Sequence, residues 1–290
     1  MQIVVTGAYG QLGSEIKNRI AEYPGWNFVF TDVDSLDITD ETAVNTFFSK
    51  NKFDFVINCA AYTAVDKAES DTENAEKVNA LAPQILSKAA RMAKAKIIHV
   101  STDYVFSGTS CIPYSEEDKV TPIGVYGQTK RRGEENVLRE NIDSIIIRTA
   151  WLYSVYGNNF VKTMLRLGKE RGELNVVFDQ VGSPTNAADL AGAILEIIRQ
   201  TENNPSGFVP GIYHFSNEGV ASWYDFALTI FELSGIKCKV KPVTSEHFPT
   251  PAKRPNFSVL NKSKIKDTFG IQVPYWKDSL KHCIETLVQK

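Results

Sequence analysis

Cysteine is scarce in this 290-residue chain, and its four copies, Cys59, Cys111, Cys238 and Cys283, are scattered. There is no Cys-x-x-Cys pair and no histidine at metal-ligand spacing, which argues against a disulfide scaffold and a zinc site. No stretch approaches the roughly 18 to 20 apolar residues of a membrane span. The first residues, MQIVVTGAYG, enter an apolar run with no basic region or cleavage site, so a cytoplasmic location is expected. An excess of one charge is missing too. A formal net charge of −2 gives no global attraction for nucleic acid or an anionic membrane, and neither is expected as a partner. Internal repeats and low-complexity tracts are also absent.

What is there is ordinary globular composition, 43% hydrophobic and 23% charged, in a chain long enough for one large or two modest domains. Short β-branched or aromatic runs recur: IVVT at 3–6, FVF at 28–30, FVIN at 55–58, KIIHVS at 96–101 and SIIIRT at 144–149. Between them lie segments of helical spacing: ETAVNTFFSK, AEKVNALAPQILSKAARMAK, and one beginning near Tyr126. Strands alternating with helices predict an α/β fold, a Rossmann-type doubly wound parallel sheet. After Arg148 the pattern loosens. NFVKTMLRLGKE reads as a helix, ELNVVFD as a strand, and AADLAGAILEIIRQ as an amphipathic helix that returns to the first domain. TENNPSGFVPG at 201–211 reads as a loop, and SWYDFALTIFELSG as a helix capped by Ser222 and stopped by Gly235. The division expected is an NAD(P)-binding domain over 1–150, with the returning helix near 186–200. The remainder, 151–290, is expected to be mainly a smaller α/β substrate lobe over the carboxyl ends of the strands.

The first strand ends in TGAYGQLGSEI, with Gly7, Gly10 and Gly13 at the spacing of a dinucleotide loop and Gln11 and Leu12 at the following helix start. The glycines serve a tight turn, close approach to a pyrophosphate, and close helix–strand packing, while the helix N–H groups bind phosphate. Some twenty residues on, FTDVDSLDITD carries Asp32 and Asp37 as cofactor contacts. A carboxylate at Asp32 suits the adenosine ribose and repels a 2′-phosphate, favouring NADH; the alternative is that Asp32 only caps a turn. In INCAAYTAVDKAE, Cys59, Ala60, Ala61 and Tyr62 follow the third strand at the crevice edge. Small residues there admit a cofactor or simply pack.

The fourth strand ends in HVSTDYVFSG, placing Ser101, Thr102 and Asp103 in the same crevice, and GVYGQTKRRGEE then sets Tyr126 four residues before Lys130. On a helix the two share a face. Alone the pair fits any solvated helix; beside a dinucleotide it suits carbonyl reduction. Tyr126 is the expected proton donor. Lys130 is expected to lower the phenol's pKa and to hold the nicotinamide ribose, and Thr102 to hydrogen-bond the substrate carbonyl.

Together the glycine loop, the Thr102-Asp103-Tyr104 segment and the Tyr126/Lys130 pair resemble the extended short-chain dehydrogenase/reductase family, whose members mostly act on nucleotide sugars. STDYVFSG, YGQTK, RTAWLY at 148–153, NNFVKTML at 158–165, VFDQVGSPT at 177–185 and PAKRPNFSVL at 251–260 are similar to its branch that reduces 4-keto deoxysugars. The likeness runs over nearly the whole chain. It implies reduction of the 4-keto group of dTDP-6-deoxy-L-lyxo-4-hexulose by NADPH or NADH. It also implies that Asp103 and Trp151 lie at the substrate and that Asn159 and Arg254 hold the nucleotide diphosphate. By residue type alone, Arg254 suits phosphate or is a surface arginine, and Trp151 suits a core. Trp223 is expected only to pack. Some members dimerise around a magnesium ion, so Mg2+ and a homodimer are further expectations; Glu15 and Asp189 fall in the corresponding motifs, with no third ligand identified. Arg131 and Arg132 depart from the Lys-Leu-x-Gly-Glu of the family. Two other activities remain open: a nucleotide-sugar epimerase or dehydratase, and a regulatory subunit of methionine adenosyltransferase type. A dehydratase would want a second carboxylate where Tyr104 stands, and a regulatory role places no demand on Thr102, Tyr126 and Lys130.

Overall fold

Ile3, Val4 and Val5 are all fully buried in β1 (Gln2–Thr6), so this strand has apolar side chains on both faces and lies inside a sheet covered twice. It is followed by α1 (Gln11–Asn18), β2 (Asn27–Thr31), α2 (Glu41–Lys50), β3 (Phe55–Asn58), the short α3 (Val65–Ala68) and α4 (Thr72–Glu76), α5 (Ala82–Met92), β4 (Lys96–Thr102), α6 (Val125–Glu140) and β5 (Ser144–Thr149). The chain continues through β6 (Leu152–Tyr153), α7 (Phe160–Glu170), β7 (Glu173–Val177), β8 (Val181–Gly182), β9 (Thr185–Asn186), α8 (Ala187–Gln200), β10 (Gly211–His214), β11 (Ala221–Ser222), α9 (Trp223–Ser234), β12 (Lys239–Val243), α10 (Ser263–Phe269) and α11 (Trp276–Val288). This computed structural model describes residues 1–202 and 204–288; Asn203, in the loop expected at 201–211, and the last two residues of the expected lobe lie outside the described residues.

Six strands form one parallel sheet in the order β10-β5-β4-β3-β1-β2. The doubly wound sheet is the one the sequence predicts, with a sixth strand added. That strand, β10, is the four-residue GIYH, too short to carry a periodic signal. Because β1 has β2 on one side and β3 on the other, the loops leaving β1 and β3 diverge and open a crevice at their carboxyl ends. Leu12 and Ile16 of α1 and Leu190, Ile194 and Ile198 of α8 cover one face of the sheet. Val44, Leu86 and Val137 from α2, α5 and α6 cover the other.

The helix expected over 75–94 is interrupted. A π turn at Lys77–Leu81 joins α4 to α5. Pro83 has no N–H to return to the carbonyl four residues earlier, so the regular ladder cannot pass through it. The fully buried Asn79 sits in the widened turn and pins the Tyr62 peptide, accepting from its N at 2.8 Å and donating to its O at 3.1 Å.

The smaller lobe is built on α7, α9 and α11 around Val161, Met164, Phe226, Ile230 and Leu280, beside the parallel pair β7 and β12. Helix α9 begins with a reciprocal cap between Ser222 and Asp225, and Gly235 ends it at φ +69, where a side chain would be strained.

Candidate active site

The crevice is a cavity of about 880 Å³ at the joint between sheet and lobe. One wall is the expected dinucleotide side: Gly7, Gly10, Gln11, Leu12, Asp32, Asp37, Cys59, Ala60 and Ala61. Gly7 takes φ +67, and a Cβ there would lie 2.6 Å from Ala60 N, so the loops after β1 and β3 touch. Gly13 does not face the cavity; a Cβ there would lie 2.5 Å from Gly7 O, and its absence lets α1 seat against the loop. Gly10 caps α1 with no side-chain hydrogen bond, which leaves the first N–H groups of the helix for an anion. The glycine cradle and this uncapped helix start fit a dinucleotide pyrophosphate. Asp32 both caps and faces the crevice: it accepts from Tyr9 N and Val33 N, each at 2.9 Å, while lining the cavity. Asp37, at the rim, accepts from Thr39 N and Oγ1. Tyr62 lies off the cavity, its hydroxyl donating to Asp71 at 2.9 Å.

The opposite wall holds Thr102, Asp103, Tyr126, Lys130, Trp151 and Arg254. Helix α6 starts hard against the turn after β4, since a Cβ on Gly127 would lie 2.2 Å from Tyr104 O. That approach brings Tyr126 to Thr102. The Tyr104 ring meets Tyr126 edge-on, with centroids 5.4 Å apart. The Thr102 hydroxyl accepts from Tyr104 N at 3.2 Å and donates to Asp103 Oδ1 at 3.0 Å, and it is also within hydrogen-bonding reach of the phenol. It has one proton, so it serves Asp103 or Tyr126 but not both.

The electrostatics correct one expectation. Lys130 does not lower the Tyr126 phenol, which is pushed up to about 12 by burial, with Asp103 reinforcing and Thr102 opposing. The lysine instead turns inward: Nζ donates to Val100 O at 2.7 Å and lies 3.5 Å from His99 Nε2. Burial brings Lys130 itself down to about 8, against the pull of Glu134 and Cys59. Burial also pushes the Asp103 carboxyl up to about 7, against the Thr102 hydroxyl, and its Oδ2 has no partner of normal geometry among the described residues. Beneath them Glu134 accepts from Ser101 Oγ at 2.5 Å and from Arg148 at 2.9 and 2.7 Å, an enclosed ion pair that anchors α6 to β5.

Trp151 sits at φ +49, a backbone conformation that costs a non-glycine residue of order 1 kcal/mol or more. Its ring stacks on Trp223 at 3.6 Å and 8°, and a Cβ on Gly182 would lie 2.7 Å from it. Trp223, expected only to pack, therefore lines the cavity with Trp151 and Phe160. The Arg254 guanidinium forks onto Asp66 at 2.9 and 2.8 Å, and it also lines an adjoining cavity of about 630 Å³ that Phe160 and Trp223 share. Asn159 caps α7 and donates to Gln11 Oε1 at 3.0 Å and Ser154 O at 2.7 Å. The cavity wall passes through its neighbours Asn158 and Phe160, so a contact with diphosphate would require Asn159 to give up these bonds. Glu15 accepts from Ser154 Oγ at 2.5 Å, and Asp189 from Asn217 Nδ2 and Ser279 Oγ at 2.6 and 2.5 Å. Among the described residues no three His, Cys, Asp or Glu side chains converge, so the donor set does not fit a magnesium ion within one chain.

The sequence pattern of the family described as the RmlD substrate binding domain matches residues 1–289. The chain belongs to this family. A dTDP-4-dehydrorhamnose reductase of Sinorhizobium fredii is 40% identical over 99% of this chain and 98% of its own length. One from Escherichia coli is 40% identical with the same coverage. Among solved structures, the dTDP-4-dehydrorhamnose reductase of Clostridium acetobutylicum is 47% identical over the whole of both chains, with a TM-score of 0.94. That of Bacillus anthracis, in complex with NADP, is 38% identical over 98% of this chain and 99% of its own, with a TM-score of 0.93. In this RmlD-family chain sequence reasoning gave no site role to Trp223 and Phe160, which line the cavity, or to Asp66, which holds Arg254. Trp223 and Phe160 had a signal, since the Ser222 and Asn159 caps place each at the first turn of a helix; Asp66 depends on a contact made across the fold.

Proposed function

We propose that the protein reduces the 4-keto group of dTDP-6-deoxy-L-lyxo-4-hexulose to give dTDP-L-rhamnose, with NADPH or NADH as hydride donor. The observation that carries this reading is one cavity in which a dinucleotide cradle faces Thr102, Tyr126 and Lys130, in a chain with full-length reductase relatives. Residues 1–150 with α8 make up the cofactor-binding part, and 151–290 mainly the substrate lobe.

When bound, the reduced nicotinamide supplies the hydride to carbon four. Thr102 turns its single hydroxyl proton to the carbonyl oxygen and polarises it. Tyr126 then gives its phenolic proton to the alkoxide. A phenol raised to about 12 is neutral at neutral pH, so the donor enters the reaction loaded. The Thr102 hydroxyl opposes the rise of the phenol and so stabilises the phenolate left behind, and the Lys130 cation holds the ribose. Trp151 and Trp223 form the wall for the sugar, and Arg254 meets the diphosphate at the mouth of the adjoining cavity. Asp32 sets its charge against a 2′-phosphate and so favours NADH, while the Bacillus anthracis relative holds NADP.

The test is the loss of nicotinamide absorbance with the 4-keto-6-deoxy-L-hexulose nucleotide, NADH and NADPH compared under matched conditions. Rapid oxidation is expected with both and faster with NADH; cofactor binding with no oxidation would overturn the reading.

A further inference from the structure

A row of buried hydrogen bonds crosses the sheet beneath Lys130, and the mechanism above makes no use of it. Thr6 on β1, Asn58 on β3 and His99 on β4 stand side by side on adjacent parallel strands, almost wholly enclosed. Asn58 Oδ1 accepts from Thr6 Oγ1 at 2.8 Å and from Ala60 N at 3.1 Å. A peptide N–H can only donate, so the Asn58 atom facing Ala60 is its carbonyl oxygen, and its NH2 faces His99 Nδ1 at 3.0 Å. An amide NH2 also only donates. His99 Nδ1 must therefore accept, and it carries no proton.

Burial and the neighbouring Lys130 hold His99 well below the usual histidine range, so the ring is neutral and its one proton sits on Nε2. Nε2 is the atom 3.5 Å from Lys130 Nζ. Two donors face each other there, which accounts for a separation too long for a good hydrogen bond, while Nζ makes its short bond to Val100 O.

We propose that His99, locked in the Nε2–H tautomer by Asn58, is a positioning residue for Lys130, turning the ammonium's donors away from the imidazole and toward Val100 O and the crevice. The same N–H dipole opposes charge on Nζ, in the direction in which burial already acts. The other ionisable groups that act on Nζ are Glu134 from its own helix, itself committed to Arg148 on β5, and Cys59 after β3; Tyr126 and Asp103 line the same cavity. The inference rests on the reading of Lys130 as the cation beside the cofactor.

Two measurements test it. On the wild-type chain with 15N-labelled histidine, a long-range 1H–15N spectrum reports which ring nitrogen of His99 is protonated. Nε2–H is expected, with a resonance that moves as Lys130 titrates and stays still in Lys130→Met. A proton on Nδ1 would overturn the proposal, whether or not any variant folds. The second is the pH dependence of NADH affinity in His99→Leu. Without the opposing dipole, Lys130 should keep its charge to higher pH, moving the transition up by about one unit, roughly tenfold in proton affinity. Weaker binding at every pH with the transition unmoved would mean a structural role only. Neither readout needs the sugar substrate, so a wild-type enzyme that binds NADH but fails to reduce the 4-keto nucleotide would sink the proposed function and leave this inference standing.

Discussion

Tyr126 and Asp103 share one hydroxyl, that of Thr102, and burial raises the pKa of both. Tyr126→Phe keeps the ring against Tyr104 and removes only the proton, so turnover should fall at least ~100-fold with cofactor affinity nearly intact, as steady-state rates and NADH titration would show. Asp103 makes a stability prediction. Its carboxyl is raised from 3.8 to about 7 in the folded protein, so the folded state holds the proton more tightly than the unfolded chain. Its contribution is fully present below pH ~4 and is lost as pH rises through about 7. Asp103→Asn should remove this dependence and gain roughly 2–4 kcal/mol at pH 8 relative to pH 4, read from urea midpoints of the two proteins at both pH values. That Tyr126 and Lys130 face one crevice with Thr102 was legible once the glycine loop stood beside them, because i and i+4 fix a shared helix face and Thr102 ends a strand. The sense of the phenol's shift was not, because it depends on how much protein closes over the ring and on Lys130 finding Val100 O instead.

At the scale of elements, close approaches matter more than propensities. The glycine in VGSPT is one: with a Cβ, residue 182 would press into the Trp151 ring from beneath and push it off Trp223. Gly182→Ala should therefore raise KM for the nucleotide sugar about tenfold, with NADH affinity within ~2-fold of wild type, a split that initial-rate kinetics resolves. The five strands of the first part of the sheet could be read from their β-branched or aromatic runs: β1, β3, β4 and β5 lie inside the sheet, and β2, half-buried at its edge, shows through Phe28 and Phe30. β10 could not, because four residues carry no period and only the open edge of β5 makes GIYH a strand. The π turn was hidden for a different reason: Pro83 announces a break, but only the demand of the Tyr62 peptide for Asn79 decides its form.

For the molecule as a whole, the site lies between two layers that the chain visits in alternation, sheet first, lobe next, sheet again through α8 and β10. Asp66, on α3, and Arg254, from the loop after β12 and on the wall of both cavities, tie the two parts together with a forked ion pair. The guanidinium holds the Asp66 carboxyl below its ordinary value, which favours the ionised pair. On the proposed function, a diphosphate that engages Arg254 displaces a carboxylate already there. Substrate entry then becomes an exchange of counter-ions. Asp66→Asn should bind dTDP several-fold more tightly at low salt, by calorimetry, because the incoming anion meets no rival; unchanged affinity would place the diphosphate elsewhere. An enzyme wired this way keeps its arginine occupied between turnovers, and discriminates against stray monovalent anions that cannot outbid an aspartate held at the same fork.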